Sequence, residues 1–152
     1  METEGQEALF RAAWRDLQRG RSIRRVEAYA RENHPELDLR QTDVLGIIVE
    51  RGGCRLTDLS AQLGLDVSNA SRTVTRLVNN GHVSREDSTE DGRAVVLTAT
   101  KAGERVWNEV NDRRTSVVRH VLSDMSPTQR ANAVQLLERM VRSLDEFADQ
   151  LD

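Results

Sequence analysis

Between Asp66 and Gly81 the chain carries two arginines, Arg72 and Arg76, and no acid. If Ala70, Val74, Leu77 and Val78 form the buried side of a helix, then Ser68, Asn69, Ser71, Arg72, Thr75 and Arg76 lie outside it. Hydroxyls, an amide and guanidinium groups are the donors and acceptors that read base edges and hold phosphates in a major groove. The same composition suits a solvated helix face, and the stretch alone does not decide between the two.

A second stretch, Ser84 to Thr98, reads SREDSTEDGRAVVLT. Four acids, Glu86, Asp87, Glu90 and Asp91, crowd a polar loop whose one positive charge after the turn is Arg93, and an apolar, β-branched run follows at once. Elsewhere the residues that do chemistry are scattered. His34, His82 and His120 make no HxxxH spacing and there is no CxxC, so a metal site assembled from them is not expected, and surface or partly packed histidines are. No nucleophile elbow, P-loop, zinc-protease motif or Gly-rich dinucleotide fingerprint is present, so no enzyme and no cofactor are expected.

The elements that must position these residues follow from periodicity. Apolar residues at Phe10, Ala13, Leu17 and at Ile23, Val26, Ala30 predict one long first helix, disturbed near Gly20, with His34-Pro35 breaking it. A second helix runs from about Leu39 to Glu50 and ends at Gly52-Gly53. Thr57 is the expected N-cap of a short helix bearing Leu59 and Leu63, stopped by Gly64, and Ser68 the expected N-cap of the next, which ends at Asn80-Gly81. Two short helices joined by a Gly-containing turn form a helix-turn-helix pattern.

After Gly81 the period falls from 3.6 to 2. Val83 on one strand, and Val95, Leu97 and Ala99 on another, share a face, and the acidic segment is the hairpin between them. Thr100 is placed to cap a helix carrying Val106, Val110, Val117 and Val121. The last helix opens with Ser126-Pro127-Thr128-Gln129, a capping box with proline at the first helical position. Its Ala133, Leu137, Met140, Leu144, Phe147 and Leu151 recur in steps of three and four, the seam another helix would fill. The fold class expected is mainly α with a small β-hairpin wing, a winged helix-turn-helix within a helical dimer.

The 152 residues suit one compact unit, and 3% aromatic content leaves the core to aliphatic side chains. No apolar run is long enough to span a membrane and no leader pattern opens the chain, so a cytoplasmic protein with no membrane partner is the expectation. Cys54, the one cysteine, cannot form an internal disulfide, which fits a reducing compartment. The formal net charge of −3 does not by itself point to nucleic acid, so the distribution of charge carries the argument.

In order and spacing these elements resemble the MarR family of bacterial transcription regulators across nearly the whole chain. The resemblance rests on Leu59 to Leu65 (LxxxLGL), Arg72 and Arg76 before Leu77, Gly81, Asp91-x-Arg93, and Thr100-x-x-Gly103. Where many members carry two consecutive arginines after the wing aspartate, Gly92 precedes Arg93 here, and Val96 replaces a basic residue common in the second wing strand.

The resemblance implies a homodimer that binds double-stranded DNA at a roughly palindromic operator, most often a repressor released by a small-molecule effector or a chemical stimulus. Residues 39–99 would form the DNA-binding lobe of a single domain spanning 1–152, and residues 1–38 and 100–152 the dimerisation helices. Ser68, Asn69, Ser71, Arg72, Thr75 and Arg76 would enter the major groove. Arg93 would enter the minor groove, where a narrow groove concentrates negative potential, with Asp91 fixing the wing tip. Redox-sensing members carry their cysteine in the first helix, so Cys54 reads as structural or incidental. Trp14, Tyr29 and Trp107 are either effector-pocket walls or core. The rival reading is a winged helix used only for protein contact, its acidic wing binding a basic partner; the acid-free helix counts against it.

Overall fold

A computed structural model describes residues 2–87 and 95–151, in the order α1 (Glu2–Arg19), α2 (Arg21–Ala30), α3 (Leu39–Glu50), β1 (Cys54–Arg55), α4 (Leu56–Gln62), α5 (Val67–Asn79), β2 (Val83–Asp87), β3 (Val95–Ala99), α6 (Lys101–Val121) and α7 (Pro127–Ala148). The expected mainly helical winged fold is present. By contacts the chain divides into Met1–Arg114 and Thr115–Asp152.

In the larger unit, α3, α4 and α5 pack their apolar faces together. Val44, Leu45 and Ile48 of α3, Leu59 of α4 and Ala70, Val74 and Leu77 of α5 are all but inaccessible, and Val83 and Leu97 of the sheet close the cluster. The sheet is antiparallel in the order β1-β3-β2, with Cys54 opposite Leu97, Val83 opposite Ala99 and Arg85 opposite Leu97. Period 2 therefore turns Val83 and Leu97 inward, as expected.

Helix ends follow the glycines. α4 and α5 both stop in Schellman motifs: Leu65 N–H bonds Ser60 O at 3.0 Å past Gly64, and His82 N–H bonds Leu77 O at 2.9 Å past Gly81. Gly64 and Gly81 hold φ of 60° and 76°, the left-handed region a side chain disfavours.

Four expectations are corrected. The long first helix is two helices, because Gly20 adopts an extended ψ of 136° and caps α2. The short helix α4 is preceded by Arg55 with no side-chain cap, so Thr57 lies inside its first turn. Asp66, not Ser68, is the N-cap of α5: its carboxylate accepts Asn69 N–H at 2.8 Å. The hairpin gains a third strand, β1, because Cys54 and Arg55 pair with β3.

In the smaller unit, α7 begins with the expected capping box. Ser126 Oγ accepts Gln129 N–H at 3.3 Å, and Gln129 Oε1 accepts Ser126 N–H at 2.8 Å. No residue of α7 is buried. Leu137, Leu144 and Phe147 are all exposed, and so are Leu9, Phe10 and Leu17 of α1. No helix among the described residues is long and apolar enough to cross a membrane.

Candidate nucleic-acid interface

The α5 helix is held by one face and leaves the other free. Ala70, Thr73, Val74 and Leu77 are buried, and Thr73 Oγ1 satisfies its hydroxyl on Asn69 O at 3.3 Å. Thr73 is the one buried member that reading by hydrophobicity omits. Ser68, Asn69, Arg72, Thr75 and Arg76 are exposed and Ser71 is half-buried, so all six groove-facing candidates lie off the core face.

These six are not equivalent. Asn69 turns its amide back to Asp66, and Thr75 donates to Ser71 O at 2.8 Å, so both spend a donor within the helix. Arg72 makes no side-chain hydrogen bond to another described residue and is free to reach outward. Arg76 does not share that freedom: its Nη1 lies 3.4 Å from Asp38 Oδ2. Hydrogen bonding from the Asn69 backbone holds the exposed Asp66 carboxyl below the usual carboxylate range.

A concavity of about 430 Å³ opens beside α5, where Arg72 and Arg76 meet Asp38, Leu39 and Arg40 at the start of α3. Asp38 caps α3 in a reciprocal box: its Oδ1 accepts Gln41 N–H at 2.8 Å and its own N–H bonds Gln41 Oε1 at 2.9 Å. Arg85 of β2 reaches over to Ser71, Nη1 to Oγ at 3.4 Å. Arg40 and Arg85 add cations beside the predicted set. Sequence reading missed both because neither belongs to α5; Arg85 stands opposite the inward-facing Leu97 in the strand register, a position that could have drawn notice. Asp91 and Arg93 lie outside the described residues.

The joint behind this face explains the Thr100-x-x-Gly103 spacing. Thr100 Oγ1 donates to Gly81 O at 2.7 Å and accepts Gly103 N–H at 3.0 Å, while Thr100 N–H bonds His82 O at 3.0 Å. A Cβ on Gly103 would stand 2.0 Å from His82 O, so glycine is required for α6 to approach the end of α5. The Thr100 hydroxyl thus caps α6, as expected, and also fastens it to α5.

His82 is buried, its Nε2 3.3 Å from Glu36 Oε1; His34 lies 3.6 Å from the same carboxylate and 3.0 Å from Glu109. The fold thus gathers two histidines that sequence spacing leaves apart. Among the described residues no group of His, Cys, Asp and Glu is arranged to hold a metal ion. Burial raises the Cys54 thiol pKa and keeps it protonated. Trp107 packs in the core, where a Cβ on Gly46 would meet its ring at 2.6 Å; Tyr29 is exposed under the Arg113 guanidinium, and Trp14 stacks on Phe10.

The helix-turn-helix and the sheet beside it define a winged-helix fold, with a polar outer face on α5. The profile of the MarR family matches residues 37–95. Among curated relatives, the HTH-type transcriptional regulator YfiV of Bacillus subtilis is 24% identical over 110 residues, covering 72% of this chain and 69% of that one. The transcriptional repressor MprA of Escherichia coli is 27% identical over 91 residues, covering 60% of this chain and 52% of that one. In fold, the chain is similar to a cysteine-to-serine mutant of MarR from E. coli complexed with operator DNA, with a TM-score of 0.68, 20% identity and coverage of 88% and 93%.

Proposed function

We propose that the protein is a homodimeric repressor that reads a roughly palindromic operator with two α5 helices, and that a small ligand or chemical stimulus releases it. The observation that carries this reading is the outer face of α5: acid-free from Val67 to Asn80, anchored from behind, with Arg72 making no side-chain hydrogen bond to another described residue. Residues 39–99 form the DNA-binding lobe in this reading. Ser68, Asn69, Ser71, Arg72, Thr75 and Arg76 enter the major groove, and Arg93 is the wing cation with Asp91 as its support.

The unburied apolar residues of α7 and α1 support the assignment of residues 1–38 and 100–152 to a two-fold interface. Two-fold symmetry then places two recognition helices on two half-sites. The named repressor MprA and the operator complex of E. coli MarR support the DNA-binding and repressor roles by likeness.

The test is binding of the purified protein to random duplex DNA at low salt, followed by sequencing of the fragments it retains. Retention of fragments sharing an inverted repeat is expected. Absence of binding to any duplex would sink the reading and favour protein contact as the use of this winged helix. On a retained fragment, Arg93→Ala should make the slope of log affinity against log salt shallower by up to ~2 per dimer, with little change in thermal stability.

A further inference from the structure

The two acids that border the outer face of α5 are both helix N-caps, but they end differently. Asp66 directs both carboxylate oxygens to Asn69, one to its backbone N–H and one to its side-chain amide. Asp38 gives one oxygen to Gln41 N–H and has the other left over, and that oxygen meets Arg76 at 3.4 Å. Among the described residues lining the concavity, Asp38 is the one acid beside Arg40, Arg72 and Arg76. The pair is open to solvent, with 68% of the Arg76 side chain and 51% of the Asp38 side chain accessible, so it is easily exchanged. Exposed pairs of this kind shift an equilibrium by no more than about fivefold.

We infer that Asp38 is an electrostatic brake on DNA binding: its carboxylate neutralises Arg76 in the free protein and competes with the phosphates that Arg76 would otherwise hold. The inference rests on the DNA-binding reading above and concerns the strength of that binding. A duplex that takes Arg76 must displace Asp38 and then leaves that carboxylate close to the phosphate backbone. Both effects act on charge alone, so they weaken binding to every sequence alike. The fixed place of Asp38 as the α3 cap keeps the charge at this spot, because the reciprocal bonds with Gln41 hold its backbone and one oxygen. The overall negative charge of the chain is thereby matched by a local device at the contact face itself.

The cap and the charge can be separated. Asn caps a helix as well as Asp does, so Asp38→Asn removes the charge and keeps the cap. Asp38→Glu keeps the charge and weakens the cap. For Asp38→Asn we expect two- to fivefold tighter binding to a selected fragment and to a scrambled duplex alike, measured at low salt. The slope of log affinity against log salt should steepen by up to ~1 per protomer, and the gain should fade as salt screens the pair. Asp38→Glu should bind no more tightly than the wild type even where its melting temperature falls. In an Arg76→Ala background the gain from Asp38→Asn should shrink to the part owed to phosphate repulsion, because a contact pair couples and independent sites add. Unchanged affinity and slope in a folded Asp38→Asn protein would overturn the inference while wild-type binding keeps the DNA reading intact. A gain that persists undiminished without Arg76 would overturn the pairing of the two residues. Failure of both wild type and Asp38→Asn to bind any duplex would instead bring down the DNA reading, and this inference with it.

Discussion

Leu77 and Leu137 are the same residue type on amphipathic helices, yet Leu77 is wholly buried and Leu137 stands 62% exposed. The contrast extends to their surroundings. The lobe of α3, α4, α5 and the sheet closes its own core, with Val44, Ile48, Leu59 and Val74 sealed from solvent. By contrast α7 buries no residue, and α1 leaves Leu9, Phe10 and Leu17 outside. Periodicity is thus a statement that a helix has an apolar face, and says nothing of whether the cover for it comes from the same chain. The lobe finds its cover within itself. In the proposed dimer the terminal helices find theirs in a second copy.

The largest effect that would sharpen this contrast is expected at the joint behind α5. Gly103→Ala forces a Cβ to within 2.0 Å of a backbone carbonyl, and α6 or the His82 turn must move. Overpacking against backbone that cannot yield should cost at least ~3 kcal/mol, read as a large drop in melting temperature at every protein concentration. A melting temperature within a degree or two of wild type would show that the joint is looser than its hydrogen bonds suggest.

Next comes the matched pair of leucines. Leu77→Ala should cost ~2–5 kcal/mol whatever the protein concentration, because the cavity lies inside one lobe. Leu137→Ala should lower the melting temperature in a way that depends on concentration if, as proposed, its cover belongs to a second copy. Equal and concentration-independent losses at the two sites would break the comparison outright. In the same seam Leu144→Asp should shift sedimentation toward the monomer and weaken DNA binding, because a carboxylate buried there would have no partner. A dimer that survives Leu144→Asp would place the interface elsewhere.

Arg72→Ala tests the outer face without touching the core. It should cost ~1–3 kcal/mol of discrimination between selected and scrambled duplexes at each half-site, and leave the melting curve as it was. A preserved ratio of the two affinities would remove Arg72 from the residues that read sequence.

The smallest effect is expected from Asp66→Ala, at an exposed cap. The folded carboxyl is held below its ordinary value by the Asn69 N–H, so the cap stabilises fully at pH above the unfolded value near 3.8. That stabilisation is lost as pH falls through the folded value. The difference in melting temperature between wild type and variant should therefore be present at neutral pH and shrink on acidification below about pH 4. A gap that stays constant down to about pH 2 would mean that the charge of Asp66 contributes nothing.

Much of the lobe was legible because its signals are local and repeated. Leu59, Leu63, Val74 and Leu77 carry a helical period, Gly64 and Gly81 mark the stops, and Val83 and Leu97 share a strand face. What escaped depends on geometry that periodicity does not encode. Asp66 and Ser68 are both good caps two residues apart, and only the backbone decides that Asp66 takes Asn69 N–H. The two-residue β1 has no period to detect, and it exists because β3 passes beside Cys54. Arg85 and Asp38 flank α5 from elements distant in sequence, so their relation to Ser71 and Arg76 appears only in three dimensions. The two histidines around Glu36 were hidden for the same reason.

The two tryptophans fall on opposite sides of the comparison drawn above. Trp107 is pressed against Gly46 in the core with the Arg114 guanidinium 5.8 Å above its ring, whereas Trp14 is half-covered on α1, stacked on Phe10. An indole shielded from water emits at shorter wavelength than a wetted one, so each reports on its own neighbourhood. With Trp14 replaced by phenylalanine, the remaining emission follows the packing of the lobe. With Trp107 replaced instead, it follows whatever comes to lie on α1, and dilution becomes an optical titration of the terminal helices.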